Sequence, residues 1–194
     1  MKLTITHQET YSRGELLLRT FFGAIYIGIP HGFLLVFAGF WSGILLFVTF
    51  WIVLFTGKFP EGIFDYQTKL MSWSMRLSAS MGSLVDGYPA LGLKGVSENV
   101  SLEIDRPEKV SRGLVLVRAL FGAIYVGIPH GFCLFFRVIG GAVLSFLAWW
   151  VVLFTGNYSE KWHAYNVGSL RWSTRLSLYL SFLTDDYPPF SGTE

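Results

Sequence analysis

The sequence predicts an all-α integral membrane protein. It is built from two tandem helical hairpins, four transmembrane helices in all, with two amphipathic in-plane helices and internal pseudo-two-fold symmetry. Three observations predict this. The chain repeats itself: Ser12-Arg13-Gly14, Phe22-Gly23-Ala24-Ile25-Tyr26 and Gly28-Ile29-Pro30-His31-Gly32-Phe33 recur as Ser111-Arg112-Gly113, Phe121-Gly122-Ala123-Ile124-Tyr125 and Gly127-Ile128-Pro129-His130-Gly131-Phe132. The offset is 99 and runs without a gap through Leu54-Phe55-Thr56-Gly57 and Leu153-Phe154-Thr155-Gly156. Such a period marks two copies of one unit. Next, 52% of the residues are hydrophobic and only 14% are charged, against about 25% charged in soluble domains. Finally, the apolar residues are clustered. Between Leu16 and Thr56 the only cationic or imidazole side chains are Arg19 and His31, and between Leu114 and Thr155 they are Arg118, His130 and Arg137. Each run is about twice the roughly 20 residues that cross a hydrocarbon core, which predicts a hairpin of two spans.

The repeats divide the chain into repeat 1 (1–90), a linker (91–98) and repeat 2 (99–190). Each opens on an alternating segment, Lys2-Leu3-Thr4-Ile5-Thr6 and Ser101-Leu102-Glu103-Ile104-Asp105. Period-two spacing predicts strands, which pair antiparallel if a two-fold axis relates them. The first hairpin helix follows near Leu16–Ala38 and Val115–Arg137. Glycines at Gly39–Gly43 and Gly140-Gly141 then predict a turn. The second helix ends at Thr56-Gly57 and Thr155-Gly156, where glycine accepts a left-handed cap. It keeps its hydrophobicity between copies but not its identities, as a lipid-facing span would. The last part, Glu61–Leu84 and Glu160–Leu183, carries an apolar stripe (Ile63, Tyr66, Leu70, Trp73, Leu77) beside basic residues. That pattern predicts a helix in the membrane interface, with a third span as the alternative.

Of the 15 Lys and Arg residues only Arg137 falls at a hairpin tip. The positive-inside tendency therefore places both termini and residues 91–112 in the cytoplasm and Phe40–Ser42 and Val138–Gly140 outside. No cleavable signal peptide is expected from the polar residues 1–15. The single Cys133 excludes an intramolecular disulfide, and no metal site is expected.

Residues kept in both copies are the candidates for function. Ala24, Gly28 and Gly32, repeated as Ala123, Gly127 and Gly131, form a small-residue stripe. Such a stripe predicts close contact with the other copy or another protomer. Pro30 and Pro129 free the carbonyls of Tyr26 and Tyr125 from their helical donors. His31 and His130 then either close hydrogen bonds to those carbonyls or line a polar path for protons or a small solute. A remote alternative makes them the two axial ligands of a haem; otherwise no cofactor is expected. Arg19 and Arg118 are read as snorkelling to lipid phosphates, with pairing to Asp86 or Asp185 as the alternative. Arg76 and Arg175 are read as phosphate contacts or partners of the same carboxylates. No serine elbow, phosphate-binding glycine loop or metal-ligand spacing occurs, so no catalytic residue is assigned. The basic residues do not build one patch, which excludes nucleic acid as a partner.

The Leu-Phe-Thr-Gly helix end, the Trp-Ser-x-Arg-Leu-Ser stretch (Trp73–Ser78 and Trp172–Ser177) and the terminal Leu183–Phe190 run resemble a bacterial membrane family catalogued only as a domain of unknown function. The resemblance covers most of each unit. Repeat 1 departs from it at Val85-Asp86-Gly87-Tyr88-Pro89-Ala90, which marks it as the more degenerate half. The resemblance implies a tandem-hairpin inner-membrane protein and carries no established activity. A lipase label borne by some members does not extend here, since the serine elbow is missing. The expected role is a non-enzymatic accessory module of the bacterial inner membrane that contacts lipids and packs against membrane proteins or itself. A small transporter or channel using the His pair is the alternative.

Overall fold

Leu3 pairs with Leu102, its own counterpart in the other repeat, at the centre of an antiparallel ladder running from Lys2↔Glu103 to Ile5↔Val100. Alternation drives this: Leu3 and Ile5 are buried while Lys2 and Thr4 are exposed. The computed structural model describes residues 1–193. The element order is β1 (Lys2–Ile5), α1 (Arg13–Thr56), α2 (Glu61–Met81), β2 (Val100–Glu103), α3 (Arg112–Thr155) and α4 (Glu160–Leu180). A second pair of counterparts meets where α2 and α4 approach, with Thr174 Oγ1 3.3 Å from Met75 Sδ. The pseudo-two-fold axis passes through both pairs.

The predicted hairpins are not present. Each is one continuous 44-residue helix, α1 or α3, long and apolar enough to cross a membrane by length and composition. The glycines at Gly39–Gly43 and Gly140-Gly141 lie inside helix. The physical reason is hydrogen bonding: an unbroken helix satisfies its own N–H and C=O groups along an apolar surface that offers no other partner. Glycine permits a turn but does not impose one.

Instead of folding back, the long helices bow. Gln67 and Ser80 lie 13 positions apart on α2, about 20 Å of axis, yet they meet Ser42 and Arg19, 23 positions and about 35 Å apart on α1. The reach of the Arg19 side chain covers part of the difference, and curvature covers the rest, convex side outward. Along the concave side Ile27, His31, Ser42, Thr49 and Val53 are buried. Along the convex side Phe40 and Phe55 are 73% and 72% exposed, and Phe154 matches them at 70%.

The ends of α1 and α3 are tied crosswise. Tyr11 N–H donates to the Gly156 carbonyl at 2.8 Å, and its counterpart Val110 N–H donates to Gly57 at 2.9 Å. Ser12 and Ser111 cap the helix starts by accepting from Glu15 and Leu114 N–H. Gly57 (φ +69°) and Gly156 (φ +78°) close the helix ends in the left-handed region expected of them. A Gly57→Ala substitution is expected to cost about 1 kcal/mol in detergent unfolding, because a Cβ is strained at that φ. Two apolar clusters lie near the tied ends, one around Leu3, Tyr11, Leu16 and Val152, the other around Val53, Val115, Leu178 and Leu183.

Candidate functional site: the buried anchors of each repeat

Each repeat locks its short helix into the bow of its long one with the same buried bond. Trp73 Nε1–H donates to His31 Nδ1 at 2.8 Å, and Trp172 Nε1–H donates to His130 Nδ1 at 2.8 Å. Both imidazoles are completely buried. A neutral imidazole whose Nδ1 accepts carries its proton on Nε2. In repeat 2 that nitrogen faces Tyr187 Oη at 3.3 Å, and the Phe190 ring stacks on the imidazole at 3.8 Å. The terminal Tyr-Pro-Pro-Phe run is thus a lid over His130. In repeat 1 Tyr88 lies against His31, ring to ring at 5.4 Å, Leu91 holds the sequence position of Phe190, and the imidazole faces the Pro89 carbonyl in place of a tyrosine hydroxyl.

The expectation that the histidines close carbonyls freed by proline is corrected. The backbone accommodates Pro30 and Pro129 by itself, through a π turn at Ala24–Gly28 and Ala123–Gly127 just before each proline. Ile29 N–H reaches back five residues to the Ala24 carbonyl, and Ile128 N–H to Ala123. The imidazoles are left to accept the indoles. Axial haem ligation does not fit this geometry, since Nδ1 of both rings takes an indole proton and Nε2 carries a hydrogen.

The arginines are not snorkelling. Arg19 is 6% exposed and donates to the Ser80 and Val85 carbonyls, both at 2.9 Å, and to Glu15 and Asp86. Arg118 is 3% exposed and donates to the Tyr179 and Thr184 carbonyls and to Asp185. Asp86 and Asp185 in turn accept from the N–H groups of Ser12 and Ser111 at 2.6 and 2.7 Å. One cation thus satisfies carbonyls that the ends of α2 and α4 leave open, and one carboxylate ties the loop beyond to the start of the long helix. The alternative pairing held because a buried guanidinium with this many acceptors gains more than one spread on a surface.

Arg76 does not face outward either. It is 5% exposed and donates to the Ala90 and Gly92 carbonyls, fastening the connector to α2. Arg175 also has a partner. Arg137, expected at a hairpin tip, lies within α3 and donates to Ser169 Oγ and the Tyr165 carbonyl while its guanidinium covers the Tyr165 ring at 4.3 Å. The small-residue stripe makes no contact with the other copy. A Cβ at Gly32 or Gly131 meets nothing within 4 Å, and at Gly28 or Gly127 it meets only the helix's own carbonyl at 3.7 Å. The stripe flanks the π turn on both sides.

Two tyrosines of the apolar stripe, Tyr66 and its counterpart Tyr165, prove to be anchors through their hydroxyls. Tyr66 Oη donates to the Ala38 carbonyl at 2.8 Å and Tyr165 Oη to the Arg137 carbonyl at 3.2 Å. Both lie where the bow is deepest, beside the misread glycines. Their signal was present: Tyr66/Tyr165 and Trp73/Trp172 are kept at the offset of 99.

At one tied end His163, 3% exposed, bonds the Leu84 carbonyl at 3.0 Å, and the Tyr11 hydroxyl donates to the same oxygen at 3.3 Å. Burial pushes Tyr11 up to about 12, so it stays a donor. Burial holds His163 below its usual value, opposed by the Leu84 bond and Glu160 and assisted by His7. A depressed folded value contributes stability that is present above the unfolded value of about 6.5 and lost as pH falls through the folded one. The expected outcome is a melting temperature that drops below about pH 6.5 in wild type and drops less steeply in His163→Asn, where the buried His31 and His130 remain, read by thermal scans across pH.

Chemically, these residues form anchors: their polar atoms are spent on one another and on backbone. No group of three or more His, Cys, Asp or Glu suited to a metal ion occurs among the described residues. No curated protein and no solved structure matches the chain. A family profile described as "Domain of unknown function (DUF4389)" matches residues 15–91 and again residues 117–192, one match per repeat, and the chain belongs to that family.

Proposed function

We propose that the protein is a non-enzymatic module of the bacterial inner membrane that embeds two apolar arches in lipid and packs there against partner membrane proteins or organises the lipid around it. The observation that carries this is the division of surfaces. The convex faces of α1 and α3 are apolar and uncovered from end to end, while the polar residues kept in both copies turn inward as anchors. A 44-residue helix is about 65 Å long, roughly twice the hydrocarbon thickness. It cannot cross straight. On this account a bowed helix with its ends tied beside the β1–β2 ladder enters and leaves on one face, and the positive-inside tendency of the basic residues near those ends supports a cytoplasmic face. In this reading α2 and α4 lie in the plane of the interface.

Membrane fractionation tests it. The protein is expected to stay with the membrane through alkaline carbonate extraction and to require detergent for release; release by carbonate alone would overturn the reading. The transporter alternative draws support from the two fully buried imidazoles, ionisable side chains within the long apolar helices. It has less support than the module because each histidine is held in its own Trp bond. His130→Asn keeps an acceptor for the Trp172 indole, so a folded variant is expected. A proton or solute flux in reconstituted liposomes, lost in folded His130→Asn, would favour the transporter.

A further inference from the structure

Where the two repeats differ in the side chains that line one junction, a hole is left. Between the start of α1 and the C-terminal half of α3 lies a cavity of about 510 Å³, within the range of small-molecule sites. Its walls are apolar, chiefly Leu16, Met81, Ala148 and Trp149, and its rim reaches the exposed Phe146 on the outward face. Arg19, Asp86, Ser83 and the Tyr158 hydroxyl give it a polar end. At the related position in the other half, Phe182 occupies the counterpart of Ser83. Its ring lies 6.3 Å from that of Phe50 and against the Arg118 guanidinium, and it is 9% exposed. Both residues take the same unusual backbone, φ +53° at Ser83 and φ +65° at Phe182. Serine at position 83 leaves open the space that the Phe182 ring takes up in the other half.

We propose that this cavity binds a neutral glycerolipid, with its acyl chain against the Leu16–Trp149 walls and its hydroxylated head at Ser83, Asp86 and Tyr158. The choice of an uncharged head follows from the ion pair. Arg19 is spent on two carbonyls and two carboxylates, with a side chain 3% exposed, and so has little left for a phosphate. Asp86 and Glu15 beside it repel an anion. Asp86 accepts a hydroxyl proton, and the Tyr158 and Ser145 hydroxyls, both held by Asn166 Nδ2 at 3.1 Å, line the same cavity. The proposal takes the source of the ligand from the membrane reading above. It is tested in detergent solution, so its failure and that of the membrane placement are separately visible.

The experiment is native mass spectrometry of the full chain in non-ionic detergent, titrated with 1-oleoylglycerol and with the anionic oleoyl lysophosphatidylglycerol. One 1-oleoylglycerol per chain is expected, bound about tenfold tighter than the anionic lipid. Ser83→Phe, which copies the plug onto a backbone that already accepts it, is expected to abolish binding with an unchanged melting temperature. Ala148→Leu fills the cavity from the opposite wall and is the second filling variant should Ser83→Phe not fold. Unchanged 1-oleoylglycerol binding in a folded filling variant, or equal binding of the anionic lipid, would overturn the proposal.

Discussion

Replacing Arg118 by methionine is expected to destabilise the protein by about 3–5 kcal/mol, the cost of breaking a buried ion pair from one side. The Arg118 side chain is fully buried, and its loss strands the Tyr179 and Thr184 carbonyls together with Asp185. Asp185 also holds the Ser111 N–H, so the start of α3 loosens with it. Lysine is expected to recover only part of the loss, because one ammonium cannot present the guanidinium fork. The contrast is Arg106, whose pairing with Glu61 joins side chains 43% and 76% exposed; Arg106→Ala is expected to change stability by less than about 1 kcal/mol. Thermal unfolding of the three variants in one detergent checks the order, and an Arg118→Met protein as stable as Arg106→Ala would remove the Arg–Asp anchor from the account.

The Trp172→Phe variant is expected to lose about 2–4 kcal/mol. It leaves His130 Nδ1 buried without its donor at about 1–3 kcal/mol, and the smaller ring adds a void. His130→Asn is expected to cost less than Trp172→Phe, since the amide oxygen takes over the acceptor role, and His130→Leu more than His130→Asn. A double-mutant cycle between Trp172→Phe and His130→Leu is expected to show coupling of about 0.5–3 kcal/mol. Additive losses would mean that the bond seen at 2.8 Å contributes nothing of its own.

What the sequence made legible follows from range. The individual strands, the capping glycines and the amphipathic helices depend on residues close together in the chain, and each is found where its pattern places it; the long-range pairing of β1 with β2 followed from the repeat. The repeat itself predicted the two-fold axis, and Leu3 against Leu102 places it. The turn at Gly39–Gly43 failed because glycine frequency reports permission, whereas the backbone along an apolar surface favours an unbroken hydrogen-bond ladder. The arginines failed for a different reason. Arg19 looks interfacial in sequence, but its acceptors lie 61 to 67 positions away, at Ser80, Val85 and Asp86. His31 and Trp73 were each noticed as kept in both copies, yet the bond between them spans 42 positions and shows only in three dimensions. The cavity was hidden in several changes at the repeat offset, among them Ser83 against Phe182, which take on meaning only once the surrounding wall is known.

The central claim is that the convex apolar faces lie in lipid, and Cys133 reports on it without engineering. It is exposed on the outward face of α3, among Phe132, Phe135 and Phe136. The measurement is reaction with a charged, membrane-impermeant maleimide in sealed vesicles of both orientations, with Val96→Cys in a Cys133→Ser background as the aqueous control. Val96 is 84% exposed in the connector. The account predicts that Cys133 stays unlabelled from either side until detergent is added, while position 96 labels only from the cytoplasmic side. Rapid labelling of Cys133 in intact vesicles would contradict it.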